Sequence, residues 1–242
     1  MNSFFLNSYL KTCKRVQRLV VVIFDWDGTI VNTMPLSLEM LQDLAFKSFN
    51  VEPNLTKEIY YRNIGGSREE IWRQIITSSK TTLLIDDVNK AAKKKDREWY
   101  EAFLKKANSC PVFDDVPAAL SKMKKHGYNL CVSSGGFQEA IISHAKTIKM
   151  DHYFTIILGS KKGFEKGRHH FDYISEKLKT KPKDMAFVGD GPHDMRVGKE
   201  YGCLTIGRMD LLDEKTLLAA GADLVLKDFS LLPEIIKERI EI

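Results

Sequence analysis

At 242 residues, with 43% apolar and 29% charged residues, the chain can bury a substantial interior without disulfide or metal staples, and only seven prolines argue against long disordered tracts. The net charge of +5 is interleaved with 32 acidic residues, a balance that suits small anionic ligands better than nucleic acid. No apolar run approaches the ~20 residues that span a bilayer, so a membrane is not an expected partner, and on the charge balance nucleic acid is only a minor alternative.

Residues 1–18 lack acids and carry Phe4, Phe5 and Leu6 ahead of Lys11, Lys14, Arg15 and Arg18, which reverses the order of a secretory signal. They read as an N-terminal extension, with an organellar transit segment as the alternative and the cytoplasm as the default address. Cysteines 13, 110, 131 and 203 form no Cys-x-x-Cys pair, and Cys131 and Cys203 fall in strand-like runs, so buried thiols in a reducing compartment are expected.

Short apolar runs at Leu19 to Phe24, Tyr128 to Val132, Phe154 to Leu158, Met185 to Val188, Leu204 to Ile206 and Leu224 to Leu226 predict fully buried strands. Helical patterns separate most of them, such as Asp115 and Pro117 before Leu120 and Met123 with Gly127 as the stop. The alternation predicts an α/β fold with a doubly wound parallel sheet. The rhythm fails over 33–112, where Met34, Leu38, Leu41, Ala45 and Phe49 share one helical face. Ser67-x-x-Glu70 reads as a capping box, and Val88, Ala92, Trp99 and Phe103 mark a longer helix. The expected division is an extension over 1–18, a core of 19–32 and 113–242, and an inserted all-helical domain over 33–112. The run Lys93-Lys94-Lys95, followed at once by Asp96, Arg97 and Glu98, reads as a solvated helix face.

Chemistry concentrates at strand ends. Asp25-Trp26-Asp27-Gly28-Thr29 sets two carboxylates at the C-terminal edge of the sheet, where open α/β folds bind ligands. A cation there would offset phosphate repulsion while one carboxylate attacks phosphorus and the other manages protons. Ser133-Ser134-Gly135-Gly136 offers hydroxyls, free amides and a helix start to a phosphate. In Gly189-Asp190-Gly191-Pro192-His193-Asp194, Asp190 would complete a magnesium shell of oxygen ligands, and the simpler reading of Asp194 is a helix N-cap.

Together these motifs resemble the haloacid dehalogenase superfamily, in its subgroup of beta-phosphoglucomutases and phosphoglycolate phosphatases with a helical cap. The resemblance spans 19 to about 230. It implies a Rossmann-like core, Asp25 as nucleophile and Asp27 as acid/base. It also implies magnesium on the Asp25 side chain, the Asp27 carbonyl oxygen and Asp190, with Asp194 supporting the metal's water shell. Ser133 and the Ser134 amide would hold phosphate.

The family lysine departs from its usual Lys-Pro-x-Pro-Asp setting and is assigned to Lys166 in Glu165-Lys166-Gly167-Arg168-His169-His170, with Lys161, Lys162 and Arg168 as rivals. His169 and His170 read as surface or helix-start residues. The cap's specificity loop resembles Ile64-Gly65-Gly66-Ser67-Arg68-Glu69, where Gly66 would allow close approach and Arg68 would grip a second anionic group.

Asp27 points away from the halide-removing and phosphonate-cleaving members, which lack an acid there. Ser37, where a phosphomutase carries His, favours a phosphatase, and Asn32 replaces an Asp frequent in the subgroup. The expected activity is magnesium-dependent hydrolysis of a small phosphorylated metabolite by a monomer or homodimer. A sugar phosphomutase, or an idle relative that binds a phospho-ligand or protein, is the alternative.

Overall fold

The computed structural model describes residues 19–79 and 84–240. The expected extension, its Cys13 and the transit alternative lie outside the described residues.

Six parallel strands, β1 (Val21–Phe24), β2 (Asn129–Phe137), β3 (Ile156–Ser160), β4 (Met185–Gly189), β5 (Leu204–Arg208) and β6 (Leu224–Leu226), form one sheet in the order β3-β2-β1-β4-β5-β6. The strands read as apolar runs because both faces are covered. In β1, Val22 and Phe24 point into one core, with Leu120, Met123 and Ile236, while Val21 and Ile23 point into another, with Phe171, Ile174 and Phe187. Cys131 and Cys203 are buried free thiols, and burial pushes each up to about 12.

Four helices fill the region where the strand rhythm fails: α1 (Met34–Phe49), α2 (Pro53–Arg62), α3 (Arg68–Ser78) and α4 (Ile85–Ala107). They share a separate core in which Leu41, Ala45, Ile71, Trp72, Ile75, Ala92, Trp99 and Phe103 meet. Lys93 and Lys94 lie exposed on α4.

Three local expectations change. α2 had no sequence forecast, because only Thr56, Ile59 and Tyr60 of its ten residues are buried and its Leu55 is exposed. Ser67 stands at the N-cap of α3, but its side chain makes no capping bond. Glu70 reaches Arg73 at 2.7 Å and Gln74 at 2.9 Å instead, so the capping box does not form. β2 runs on through Ser133-Ser134-Gly135-Gly136 to Phe137, with its pairing to β3 slipping between Ser133 and Phe137.

The helical layer joins the sheet through two adjacent linkers. Val31 and Val112 form an antiparallel bridge, the Asn32 N–H donates to the Pro111 carbonyl at 2.9 Å, and the Phe113 N–H donates to the Ile30 carbonyl at 3.2 Å. That paired hinge holds the helices over the C-terminal edge of the strands. The remaining helices are α5 (Val116–Lys125), α6 (Gln138–Thr147), α7 (Arg168–Leu178), α8 (Pro192–Tyr201), α9 (Glu214–Ala219) and α10 (Leu232–Ile240).

Candidate active site

The strand order reverses at β1, so the segments leaving β1, β2 and β4 open onto one crevice. Asp25 prolongs β1 by one rung, its N–H donating to the Val188 carbonyl at 2.8 Å. Trp26 is fully buried and donates its indole N–H to His144 Nδ1 at 3.1 Å, which anchors the turn between the two acids. Gly28 sits at φ +77°, and a Cβ there would stand 2.3 Å from Asp190 Oδ2. Only glycine lets the β1 turn pack against the β4 loop.

Asp25, Asp190 and Asp194 are buried, and each offers a carboxylate oxygen within 4.8 Å of the others'. Lys166, whose side chain is 7% exposed, places Nζ 2.7 Å from Asp25 Oδ1 and 2.6 Å from Asp194 Oδ1. Asp194 also accepts the Gly191 N–H at 3.2 Å; Gly191, not Asp194, is the N-cap of α8. The rivals stand elsewhere: Lys161 lies over the Phe164 ring, Lys162 is exposed, and Arg168 is an exposed partner of Asp172.

Three carboxylates around one ammonium leave negative charge uncompensated. Burial pushes Asp25 up to about 6, against the pull of Lys166 and with the help of Asp194. Burial and then the charges of Asp25 and Asp194 raise Asp190 well above the carboxylate range. Lys166 is raised despite burial, because Asp194 and Asp25 favour its charged form. An all-oxygen, charge-deficient cluster of this kind fits a hard divalent cation, whose charge would reverse both carboxylate shifts.

Asp27 points elsewhere. Its Oδ1 accepts the Thr33 hydroxyl at 2.7 Å, and burial followed by the Asp25 charge raises its pKa. A carboxyl whose protonated form is favoured in this way is suited to donating a proton.

On the β2 segment, Ser133 is fully buried with its Oγ 2.9 Å from His170 Nδ1. The amides expected to stand free are partly committed: the Gly136 N–H donates to Ser134 Oγ at 3.0 Å and the Phe137 N–H to Tyr100 Oη at 3.0 Å. His169 is exposed beside Glu165, and His170 stands at the helix start, as one of the two expected readings had it, but with no exposed surface. It faces inward because it stands on the first turn of α7 with Phe171 and Ile174, the helix's apolar side.

The helical layer closes the crevice. A Cβ on Gly65 would lie 3.0 Å from Asp194 Oδ2, and one on Gly191 would lie 2.5 Å from the Ile64 carbonyl oxygen. Gly66 turns the chain there, its N–H donating to the Asn63 carbonyl at 2.9 Å. Arg68 does not stand alone as a clamp. Its Nε donates to Asp96 Oδ1 at 2.8 Å, and its guanidinium lies 4.3 Å from the centroid of Tyr100. Asp96, Trp99, Tyr100 and Phe103 share one face of α4 at spacings of three, four and seven. The cavity, about 100 Å³ and open to solvent on one side, extends from Asp25, Asp27, Lys166 and Asp190 to Arg68 and the rings of Trp99 and Tyr100.

Sequence reasoning missed Thr33, Asp96, Tyr100 and His170. Asp96 at i and Tyr100 at i+4 fall on the apolar stripe of α4, a misplaced acid that was the one available signal.

This crevice, with acids after β1 and β4 and a lysine ahead of α7, belongs to a known hydrolase architecture. The profile of haloacid dehalogenase-like hydrolases matches residues 22–207, and the chain belongs to that family. A phosphoglycolate phosphatase of Pasteurella multocida is 25% identical over 189 residues, covering 76% of this chain and 83% of its own length. A Listeria monocytogenes pyrophosphatase, PpaX, is 23% identical over 194 residues, covering 78% and 83%. Among solved structures, a predicted phosphoglycolate phosphatase from Haemophilus somnus superposes with a TM-score of 0.71 at 22% identity, over 91% of this chain and 99% of its own. A haloacid dehalogenase-like hydrolase from Streptococcus pneumoniae gives 0.73 at 18%, over 90% and 98%. The structural matches carry the fold alone.

Proposed function

We propose that the protein is a magnesium-dependent phosphatase that cleaves a compact phosphomonoester through an aspartyl-phosphate on Asp25. The observation that carries this reading is the Lys166–Asp25 contact within the three-carboxylate cluster at the strand-order reversal. The names of the relatives, phosphoglycolate phosphatase and pyrophosphatase, support hydrolytic phosphoryl transfer, from an ester in the first and an anhydride in the second.

With Oδ1 of Asp25 held by Lys166, attack on phosphorus falls to the other carboxylate oxygen. Asp27, held by the Thr33 hydroxyl and with its protonated form favoured by burial and the Asp25 charge, gives its proton to the departing alkoxide. As a carboxylate it then takes a proton from the water that attacks the acyl phosphate, which frees phosphate and restores both acids. Lys166, Ser133 and the Ser134 amide hold the phosphoryl oxygens. The side chains of Asp25 and Asp190 and the backbone carbonyl of Asp27 would hold magnesium, with Asp194 behind its water shell. When bound, magnesium neutralises phosphate charge and polarises the P–O bonds.

The cavity is small against the several hundred Å³ of typical ligand sites, which favours a metabolite with a compact leaving group. Gly66 and Arg68 face that end, and the aromatic face of α4 gives it an apolar wall. Ser37 accepts the Tyr60 hydroxyl at 2.8 Å, so no basic side chain stands there, which favours hydrolysis over phosphomutase chemistry.

Hydrolysis of p-nitrophenyl phosphate with and without magnesium tests the reading. Activity should require the metal, and Asp25→Asn should abolish it while remaining folded. A folded Asp25→Asn that turns over at the wild-type rate sinks the nucleophile assignment.

A further inference from the structure

Outside the acids and Lys166, a buried polar contact near the reaction centre joins Ser133 to His170. Both residues have no exposed surface, and Ser133 Oγ stands 2.9 Å from His170 Nδ1. The imidazole leans on the Phe164 ring at 4.8 Å between centroids, and its Nε2 is buried without a hydrogen-bond partner among the described residues. The contact with Ser133 is the one side-chain hydrogen bond this buried ring makes among the described residues, with the Phe164 and Gly159 carbonyls also near it.

The placement follows from one short segment. Lys166 precedes α7, Gly167 turns the chain at φ +109°, and His170 comes round one helical turn after Lys166. The same segment therefore delivers the ammonium to Asp25 and the imidazole to Ser133, which stands beside Asp25 at the end of the neighbouring strand: Phe24 is in register with Val132.

We infer that His170 is a positioning residue for Ser133, fixing the rotation of its hydroxyl so that the hydroxyl hydrogen is presented to a phosphoryl oxygen. The inference rests on the reading of Ser133 as a phosphate-holding residue. A serine hydroxyl has one hydrogen and rotates freely unless a neighbour fixes it. A neutral imidazole has one N–H and one bare nitrogen. When Nδ1 carries the proton it donates to Ser133 Oγ, and the hydroxyl hydrogen must point elsewhere, toward the bound anion. With the proton on Nε2 the hydroxyl hydrogen is spent on Nδ1, and only lone pairs face the phosphate. The phosphate-bound state therefore selects the Nδ1–H form. Burial, with the Lys166 charge adding to it, keeps the ring neutral by pushing it down to about 4, against the pull of the Phe164 and Gly159 carbonyls.

A double-mutant cycle between Ser133 and His170 tests this, read as kcat and KM for p-nitrophenyl phosphate and as inhibition by inorganic phosphate. His170→Leu, which fills the space without a hydrogen bond, should lower kcat/KM by about ten-fold and weaken phosphate inhibition in proportion. His170→Asn, with a polar group near the Nδ1 position, should recover to within about three-fold of wild type. In a Ser133→Ala background, His170→Leu should cost less than about two-fold, because its target is gone.

An undiminished loss in the Ser133→Ala background overturns the proposal, as does a leucine variant equal to wild type or an asparagine variant no better than leucine. If Ser133→Ala alone leaves phosphate inhibition unchanged, the phosphate role of Ser133 fails instead, and the proposal with it. If His170→Leu does not fold, the asparagine variant decides: a folded His170→Asn with phosphate inhibition weakened by ten-fold in both backgrounds overturns the inference.

Discussion

Lys166 and Asp25 lie 141 positions apart in the chain and touch at 2.7 Å, in a pocket where Asp194 supplies the lysine's second carboxylate. The ammonium thereby steadies the proposed nucleophile and answers part of the negative charge that three acids would otherwise concentrate at one strand edge.

Lys166→Ala should cost both activity and stability. Loss of a charge aimed at the phosphoryl group lowers kcat by about two to three decades. Unpairing two buried carboxylates costs about 3–5 kcal/mol without metal, and less with magnesium present. Turnover and thermal melts with and without the metal read the two effects. Lys161→Ala and Lys162→Ala should match wild type; a loss at either one places the working lysine wrongly.

Asp190→Asn separates metal binding from folding. The buried Asp190 carboxylate is held against Asp25 and Asp194, so neutralising it relieves like-charge repulsion and should leave the metal-free melting temperature unchanged or higher. The magnesium concentration for half-maximal activity should rise by at least about ten-fold. An unaltered magnesium titration removes Asp190 from the shell.

The metal-free protein should lose stability as the pH rises from 4 to 7, in part through Asp25. Its folded pKa, pushed by burial to about 6, lies above the ordinary 3.8, so the folded state holds the proton more tightly than the unfolded chain. That contribution is complete below the ordinary value and is lost as the pH passes through the folded one. It amounts to about 1–3 kcal/mol. Asp25→Asn should be more stable than wild type at pH 7 without metal, and the advantage should vanish near pH 4. Urea midpoints across that range measure it; an equal gain at both ends contradicts the assignment.

Arg68 and Asp96 set the charge at the far end of the cavity. Pairing at 2.8 Å leaves Arg68 partly neutralised, so the distal site should tolerate both acidic and neutral leaving groups. Asp96→Asn should shift the ratio of kcat/KM toward phosphate esters that carry a carboxylate by about five- to ten-fold, while Arg68→Ala should shift it the other way. Parallel changes on carboxylated and neutral esters would show damage to the wall rather than a change in its charge.

The sequence determined the sheet and the proposed nucleophile's address. Apolar runs buried on both faces allow little but a parallel sheet, and acids placed directly after such runs must emerge at its C-terminal edge. Asp25, Asp27 and Asp190 were legible for that reason, whereas Lys166 was singled out by the family resemblance. Tertiary structure decided what those residues meet. Neither the order of β1 between β2 and β4, nor the arrival of Asp96 and Tyr100 beside Arg68, nor the inward turn of His170 toward Ser133 leaves a local signal. Each depends on contacts between segments tens to more than a hundred residues apart. A polar residue on a helix reads the same in sequence whether it faces water or a buried partner, and only packing gives His170, Asp96 and Arg68 their neighbours.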